Sequence, residues 1–299
     1  MKAMILAAGL GTRLKPLTDT RPKALVELSN RTLLEITLTR LRAFGVNEVI
    51  INVHHHADMV IDYLKSKNNF NLRIEISREE ILLDTGGGLK RTSWFFLEDP
   101  KNLDEPFLLH NVDVLSTIDF TQMLQFHNDH RALATLAVQS RPSSRQLLFD
   151  NHNQLRARAS STVTPDCAPQ MKAHPNPSAT ASPAPPVQSA KPSHSERSEE
   201  SVFSSHSPLV TSPSPLPPSP ELSPLHPLAF SGIHLISPRL LPLLTETGIF
   251  SIIDSYLRLS SEGHPILAFR ADHYYWRDLG RASDLTQAAL DLQQNAIQY

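Results

Sequence analysis

A short apolar run, Lys2–Ala8, ends in Gly9-Leu10-Gly11, and two cations follow it: Arg13, two residues past the second glycine, and Lys23, ten further on. A glycine turn at a strand end lets backbone N–H groups approach phosphate oxygens closely. Two cations beside such a turn suit a triphosphate or a pyrophosphate. The same residues also read as an ordinary turn with two solvated charges. Two better-known phosphate loops do not fit. A dinucleotide fingerprint needs a third glycine where this chain has Leu14, and a Walker loop needs Gly-Lys-Ser/Thr, which is absent.

These residues need elements to hold them. Apolar spacing at Leu33, Leu34, Ile36, Leu38, Leu41 and Phe44 predicts a helix over Thr32–Phe44, stopped by Gly45. Strands are expected at Glu48–Val53, Leu72–Ile76, Phe107–Leu109, Ala134–Val138, Leu228–Ile236, Ile266–Phe269 and Tyr274–Leu279. Further helices are expected at Ala57–Lys65, Pro238–Leu244, Ser251–Leu259 and Ser283–Asn295, the last with Leu285, Ala289, Leu292 and Ala296 on one face. Leu83–Gly88 reads as a glycine-rich loop that also serves as a helix-entry turn. Strand–helix alternation predicts an α/β fold: a Rossmann-like, mostly parallel mixed sheet flanked by helices. In such sheets ligands bind beyond the strand carboxyl ends, where Gly9-Leu10-Gly11 and Asp113 both fall.

The longer string Leu6-Ala7-Ala8-Gly9-Leu10-Gly11-Thr12-Arg13-Leu14, with Pro16-Leu17-Thr18 and Pro22-Lys23, resembles the N-terminal signature of the sugar-1-phosphate nucleotidylyltransferases. Four more blocks follow in that family's order: Asp84-Thr85-Gly86-Gly87-Gly88, Asn111-Val112-Asp113, Phe230-Ser231-Gly232-Ile233 and Trp276-Arg277-Asp278-Leu279-Gly280. The details look closest to short bacterial members acting on N-acetylmuramate 1-phosphate or mannose 1-phosphate. Val112 stands where the family usually has Gly, and Asp84 where Glu is more usual.

The resemblance implies a nucleotidyltransferase of nucleotide-sugar and cell-envelope biosynthesis. A sugar 1-phosphate oxygen would attack the α-phosphorus of a nucleoside triphosphate, and pyrophosphate would leave. The nucleophile is already an anion, so the chemistry calls for positioning and positive charge rather than a general base. Arg13 would neutralise the departing pyrophosphate and Lys23 would hold the phosphates. Asp113 and Asp278, which alone read as a strand-end cap and a turn residue, correspond to the family's Mg²⁺ ligands. Nucleotide contacts would come from Leu6, Ala7, Ala8, Gly9, Gly11, Thr12, Thr85, Gly86, Gly87 and Asn111, and sugar contacts from Ser231 and Gly232. Two other readings stay open: a catalytically silent nucleotide or nucleotide-sugar sensor, and a cytidylyltransferase for a non-sugar phosphate.

Other clusters read as structure. His54-His55-His56 cannot all reach one ion from an extended run, and no Cys or His spacing completes a zinc set. His127 and His130 are expected on a solvated helix face, and Trp94-Phe95-Phe96 in the core. The 299 residues carry a net charge of −2, which does not suit a general nucleic-acid binder. No apolar run approaches a bilayer span, the N-terminus does not read as a signal peptide, and the single Cys167 excludes an internal disulfide framework. A cytoplasmic enzyme without membrane or nucleic-acid partners is expected.

Of 24 prolines, 16 fall between Ser160 and Pro227, in a stretch that also holds 16 serines and no glycine. Such a tract has little apolar area to bury, so residues 160–227 are expected as a disordered insertion. The nucleotidyltransferase domain would then comprise residues 1–159 and 228–299. PxxP-like strings arise by chance in so Pro-rich a stretch, and no protein partner is expected for it.

Overall fold

The computed structural model describes residues 1–98, 104–159 and 224–294. Most of the expected insertion, and Ala296, lie outside the described residues. The first part of the chain runs β1 (Lys2–Leu6), β2 (Glu27–Leu28), β3 (Arg31–Thr32), α1 (Leu33–Ala43), β4 (Glu48–Val53), α2 (Ala57–Ser66), β5 (Arg73–Arg78), α3 (Asp84–Arg91), α4 (Ser93–Leu97) and β6 (Phe107–Asn111). It continues with β7 (Val114–Ser116), α5 (Phe120–Asp129), β8 (Ala134–Gln139), β9 (Gln146–Phe149), β10 (Leu155–Arg158) and β11 (His226–Ile236). It closes with α6 (Ile252–Ser261), β12 (Ile266–Arg270), β13 (Trp276–Asp278) and α7 (Ala282–Gln293).

Nine strands form one mixed sheet. β1 lies between β4 and β6 in parallel, and β5 extends that block beyond β4. β11 then pairs antiparallel with β6, β8 and β9. β8 carries β12 in parallel, and β9 carries β10 antiparallel. Along β1 the side chains alternate. Ala3 and Ile5 enter one core layer with Leu34, Leu38 and Leu41 of α1, while Met4 enters the other with Phe95, Phe107, Leu136 and Tyr256. Both faces of the sheet are therefore covered, as an α/β architecture requires.

Local chemistry sets the element ends. The Thr32 hydroxyl caps α1 by accepting from the Glu35 N–H at 3.0 Å, so the helix begins one residue later than expected. Pro238–Leu243 is a 3₁₀ segment rather than an α-helix, because Pro242 inside it has no N–H to give an α-helical bond. β11 begins at His226, so the last two residues of the expected insertion belong to the sheet. His127 is buried and bonds the Thr135 hydroxyl at 2.9 Å, which corrects the expectation of a solvated face; burial lowers its pKa to about 4. Phe95 and Phe96 are core residues, whereas Trp94 is exposed.

Candidate active site

The parallel pairing brings Leu6 of β1 opposite both Asn52 of β4 and Asn111 of β6. Beyond Leu6 the chain turns through Gly9-Leu10-Gly11. Gly11 has φ +64°, and a Cβ there would stand 2.9 Å from Thr18 Cγ2, so both conformation and space call for glycine. Its carbonyl accepts from the Leu14 N–H and the Thr18 hydroxyl, each at 2.8 Å, which fixes the turn that carries Thr12 and Arg13. Asn52 accepts from the Ala7 N–H at 2.8 Å and donates to the buried Glu79 carboxylate at 2.8 Å. Around these groups lies a cleft of about 370 Å³. It is lined by Leu6, Ala7, Ala8, Gly9, Lys23, Thr85, Asn111 and Asp113 of the expected set, together with Asn52 and Glu79.

Lys23 and Asp113, both lining this cleft, form an ion pair, their side chains 11% and 14% exposed. Asp278 arrives from the other end of the chain. β13 pairs with β7 so that Asp278 faces Val114, and the Leu279 N–H donates to the Asp113 carbonyl at 2.8 Å. Asp278 Oδ1 accepts from the Gly280 N–H at 2.7 Å. A Cβ on Gly280 would stand 2.6 Å from Asp278 Oδ1 and 2.8 Å from Arg13 Nη2, so Arg13 rests against the bare backbone beside Asp278. Two cations and two carboxylates, separated by most of the sequence, thus gather around one strand pairing.

A second cleft, of about 630 Å³, adjoins the first and shares Asp84, Thr85 and Asn111 with it. Ser231, Gly232 and Asp278 line it, as do Arg141 and Trp276. The register of β11 against β8 shifts between Phe230 and His234, and Gly232 sits in this irregularity with φ +73°. A Cβ at Gly232 would meet Asn111 Nδ2 at 2.8 Å and Val114 Cγ2 at 2.9 Å. The Trp276 indole donates to the Ser231 carbonyl at 2.7 Å.

The glycine run enters a helix, as its helix-entry reading expects, but the helix starts within the run: Asp84–Arg91 is helical, and Gly86 and Gly87 are buried. Their N–H groups point to the Phe250 carbonyl at 3.0 and 3.3 Å. A Cβ on Gly86 would strike the Phe250 ring at 2.3 Å, and one on Gly87 the Gly248 carbonyl at 2.7 Å. These glycines admit close packing of the 248–252 segment. Gly11, Thr12 and Arg13 line neither cleft. Asn52, Glu79 and Arg141 were not foreseen; Asn52 is the last residue but one of β4, Glu79 directly follows β5 and Arg141 follows β8 by two residues, and position at or beyond a strand's carboxyl end was the signal available.

Among the described residues no group of three or more His, Cys, Asp or Glu side chains could hold a metal ion, and no helix is long and apolar enough to cross a membrane.

Residues 2–147 match the family model described as nucleotidyl transferase. The chain is 38% identical over 139 residues to a mannose-1-phosphate guanyltransferase of Emericella nidulans, covering 46% of this chain and 37% of that protein. It is 44% identical over 114 residues to an N-acetylmuramate alpha-1-phosphate uridylyltransferase of Caulobacter vibrioides, covering 36% of this chain and 47% of that protein. The matched segments thus span less than half the length of either relative. A UDP-glucose pyrophosphorylase structure, complexed with UDP-glucose, superimposes with a TM-score of 0.66 at 14% identity, covering 98% of each chain; this likeness establishes the fold.

Proposed function

We propose that the protein transfers a nucleotidyl group from a nucleoside triphosphate to a sugar 1-phosphate with Mg²⁺, releasing pyrophosphate. The observation that carries this reading is the meeting of Lys23 and Asp113 of the first cleft with Asp278 of the second through the β7–β13 pairing, with Arg13 beside Asp278. In the transfer, a sugar-phosphate oxygen forms a bond to the α-phosphorus. The bond from that phosphorus to the bridging oxygen breaks, and the electron pair leaves with pyrophosphate. No proton need move, so the chain's task is to align two polyanions and spread their charge.

The first cleft, walled by Ala7, Ala8, Gly9 and Thr85, takes the nucleoside triphosphate in this reading, and the second, with Ser231 and Gly232, takes the sugar. Lys23 is held in place by Asp113 and can exchange that partner for phosphate oxygens. Arg13 stands beside Asp278 to receive the leaving pyrophosphate. Asp113 and Asp278 would hold the cation. Two carboxylates without His or Cys suit a hard ion that completes its shell with water and phosphate oxygens, which is the preference of Mg²⁺. When bound, the ion would neutralise charge on the reacting phosphates.

Pyrophosphate release should be measured for ATP, CTP, GTP, UTP and dTTP against several sugar 1-phosphates, starting with mannose 1-phosphate and N-acetylmuramate 1-phosphate. At least one pairing should turn over, and chelation should abolish it. Asp113→Asn should lower kcat by roughly 10²–10³-fold while the protein stays folded. A silent panel would overturn the reading, and full activity in Asp113→Asn would remove the metal assignment.

A further inference from the structure

Arg141 follows β8 and enters the second cleft as its most constrained cation. Its guanidinium carbon lies 3.6 Å from the centroid of the Trp276 ring, and its Nη2 donates to the Phe230 carbonyl at 2.8 Å. Stacking and this one hydrogen bond fix the plane of the group. The Nε atom is buried and has no hydrogen-bond partner, and no carboxylate pairs with Arg141 among the described residues. Ser231, fully buried in the same cleft wall, also has an unpartnered hydroxyl. Burial lowers the Arg141 pKa, and the nearest opposing influence is Asp278.

A half-buried guanidinium with no counter-charge is costly, and an anion that docks on it removes the cost. Three other arginines are paired with carboxylates: Arg258 with Glu246 and Glu262, Arg277 with Asp291, and Arg156 with Asp150. Arg141 is the cation in the second cleft that is both held rigid and left open. Trp276, on which it stacks, lies two residues before Asp278 on β13, so both side chains project from the same face of that strand. An anion on Arg141 therefore sits on the side of the second cleft that faces the reacting phosphates.

We propose that Arg141 binds the phosphate of the sugar 1-phosphate, with Ser231 as an accessory donor, and so fixes the attacking oxygen. This rests on the reading of the reaction given above. A guanidinium presents two N–H groups in a planar fork, which a phosphomonoester dianion can accept in parallel.

The test compares the full-length protein with Arg141→Gln and Arg141→Lys. In turnover assays, Arg141→Gln should raise KM for the sugar 1-phosphate roughly 10- to 100-fold, with KM for the nucleoside triphosphate within about twofold. Arg141→Lys should fall between, since it keeps charge but loses the fork. Calorimetry with mannose 1-phosphate, N-acetylmuramate 1-phosphate and unphosphorylated mannose separates the sources of the anion. Equal losses for the two phosphates assign Arg141 to phosphate, whereas a loss confined to N-acetylmuramate 1-phosphate would assign it to the sugar carboxylate and overturn the proposal. An unchanged sugar-phosphate KM in a folded Arg141→Gln protein, with wild type active, overturns it while leaving the reaction intact. If wild type does not turn over, the reaction falls and calorimetry decides: binding lost in the variants supports Arg141, and no binding by wild type overturns it. Should Arg141→Gln fail to fold, Arg141→Lys carries the same comparison.

Discussion

The two clefts are made of different material. The first is walled by the carboxyl ends of parallel strands, a glycine turn and short side chains, nearly all from the segment that matches the nucleotidyl transferase model. The second is walled by the irregular strand β11 and by long side chains, Arg141 and Trp276, from opposite sides of the Pro/Ser-rich tract. A site made of backbone depends on residues in a row. A site made of side chains depends on where distant segments meet. The two share Asp84, Thr85 and Asn111, so in the proposed reaction the bond forms along their common wall.

The largest effect should come from joining the two sides. Asp278 belongs to the second cleft but reaches Asp113 of the first through the β7–β13 pairing. Asp278→Asn keeps an oxygen to accept from the Gly280 N–H, so the fold should survive. Turnover should fall by roughly 10²–10³-fold, about 3–4 kcal/mol on the barrier, with KM for the nucleoside triphosphate little changed. A change confined to that KM would show that the second cleft does not face the reacting phosphates.

Acid should loosen both regions together. His110 of β6 and His234 of β11 lie on adjacent paired strands, and burial lowers the pKa of each from 6.5 to about 3. The folded state keeps both neutral, so between these values the unfolded chain binds more protons and stability rises with pH. The stabilisation is complete above about pH 6.5 and is lost as pH falls toward 3, on the order of 2 kcal/mol per histidine at pH 5 relative to neutral pH. Thermal unfolding from pH 7.5 to 5 should show one transition moving to lower temperature. Two separating transitions would mean that the regions are not one cooperative unit.

That contrast also sets what was legible in the sequence. Glu48–Val53 was located without error, and α1 to within one residue at each end, because apolar spacing alone specifies a buried strand or an amphipathic helix. The glycine turn and the Lys23 and Asp113 positions were legible because each sits in a continuous string with a recognisable order. A helix entry at Leu83–Gly88 was legible, but its start at Asp84 was not, since three glycines oppose helix formation and packing against Phe250 and Gly248 overrides them. Arg141 carries no local mark. Its role depends on stacking with Trp276, a contact between residues on either side of the tract.

Glycines test the same difference more gently. A Cβ on Gly232 has no room and φ is +73°, so Gly232→Ala should cost about 1–3 kcal/mol of stability and displace Asn111. At Gly9 nothing lies within 4 Å of a built Cβ, so Gly9→Ala should leave stability within about 0.5 kcal/mol. If Gly9 faces phosphate as proposed, the alanine should raise KM for the nucleoside triphosphate. Calorimetric melting with steady-state kinetics on both variants separates packing from binding, and equal effects at the two sites would erase the distinction between the clefts.

The smallest effect is expected where composition is most extreme. Arg158 of β10 and Leu228 of β11 both face Leu147 of β9, one on each side, so these strands stand two sheet spacings apart, roughly 10 Å. They run parallel to each other, and a crossover between such strands needs about a dozen residues. Replacing residues 160–223 with a Gly/Ser linker of that length keeps His226 and Pro227, which belong to β11. Loop closure depends only logarithmically on length, so the shortened protein should gain about 1.5 kcal/mol and keep its kcat. A raised sugar-phosphate KM after the replacement would mean that the tract supplies part of the second cleft's wall. Unchanged kinetics would leave Arg141, Ser231 and Trp276 as the chain's own means of holding the acceptor.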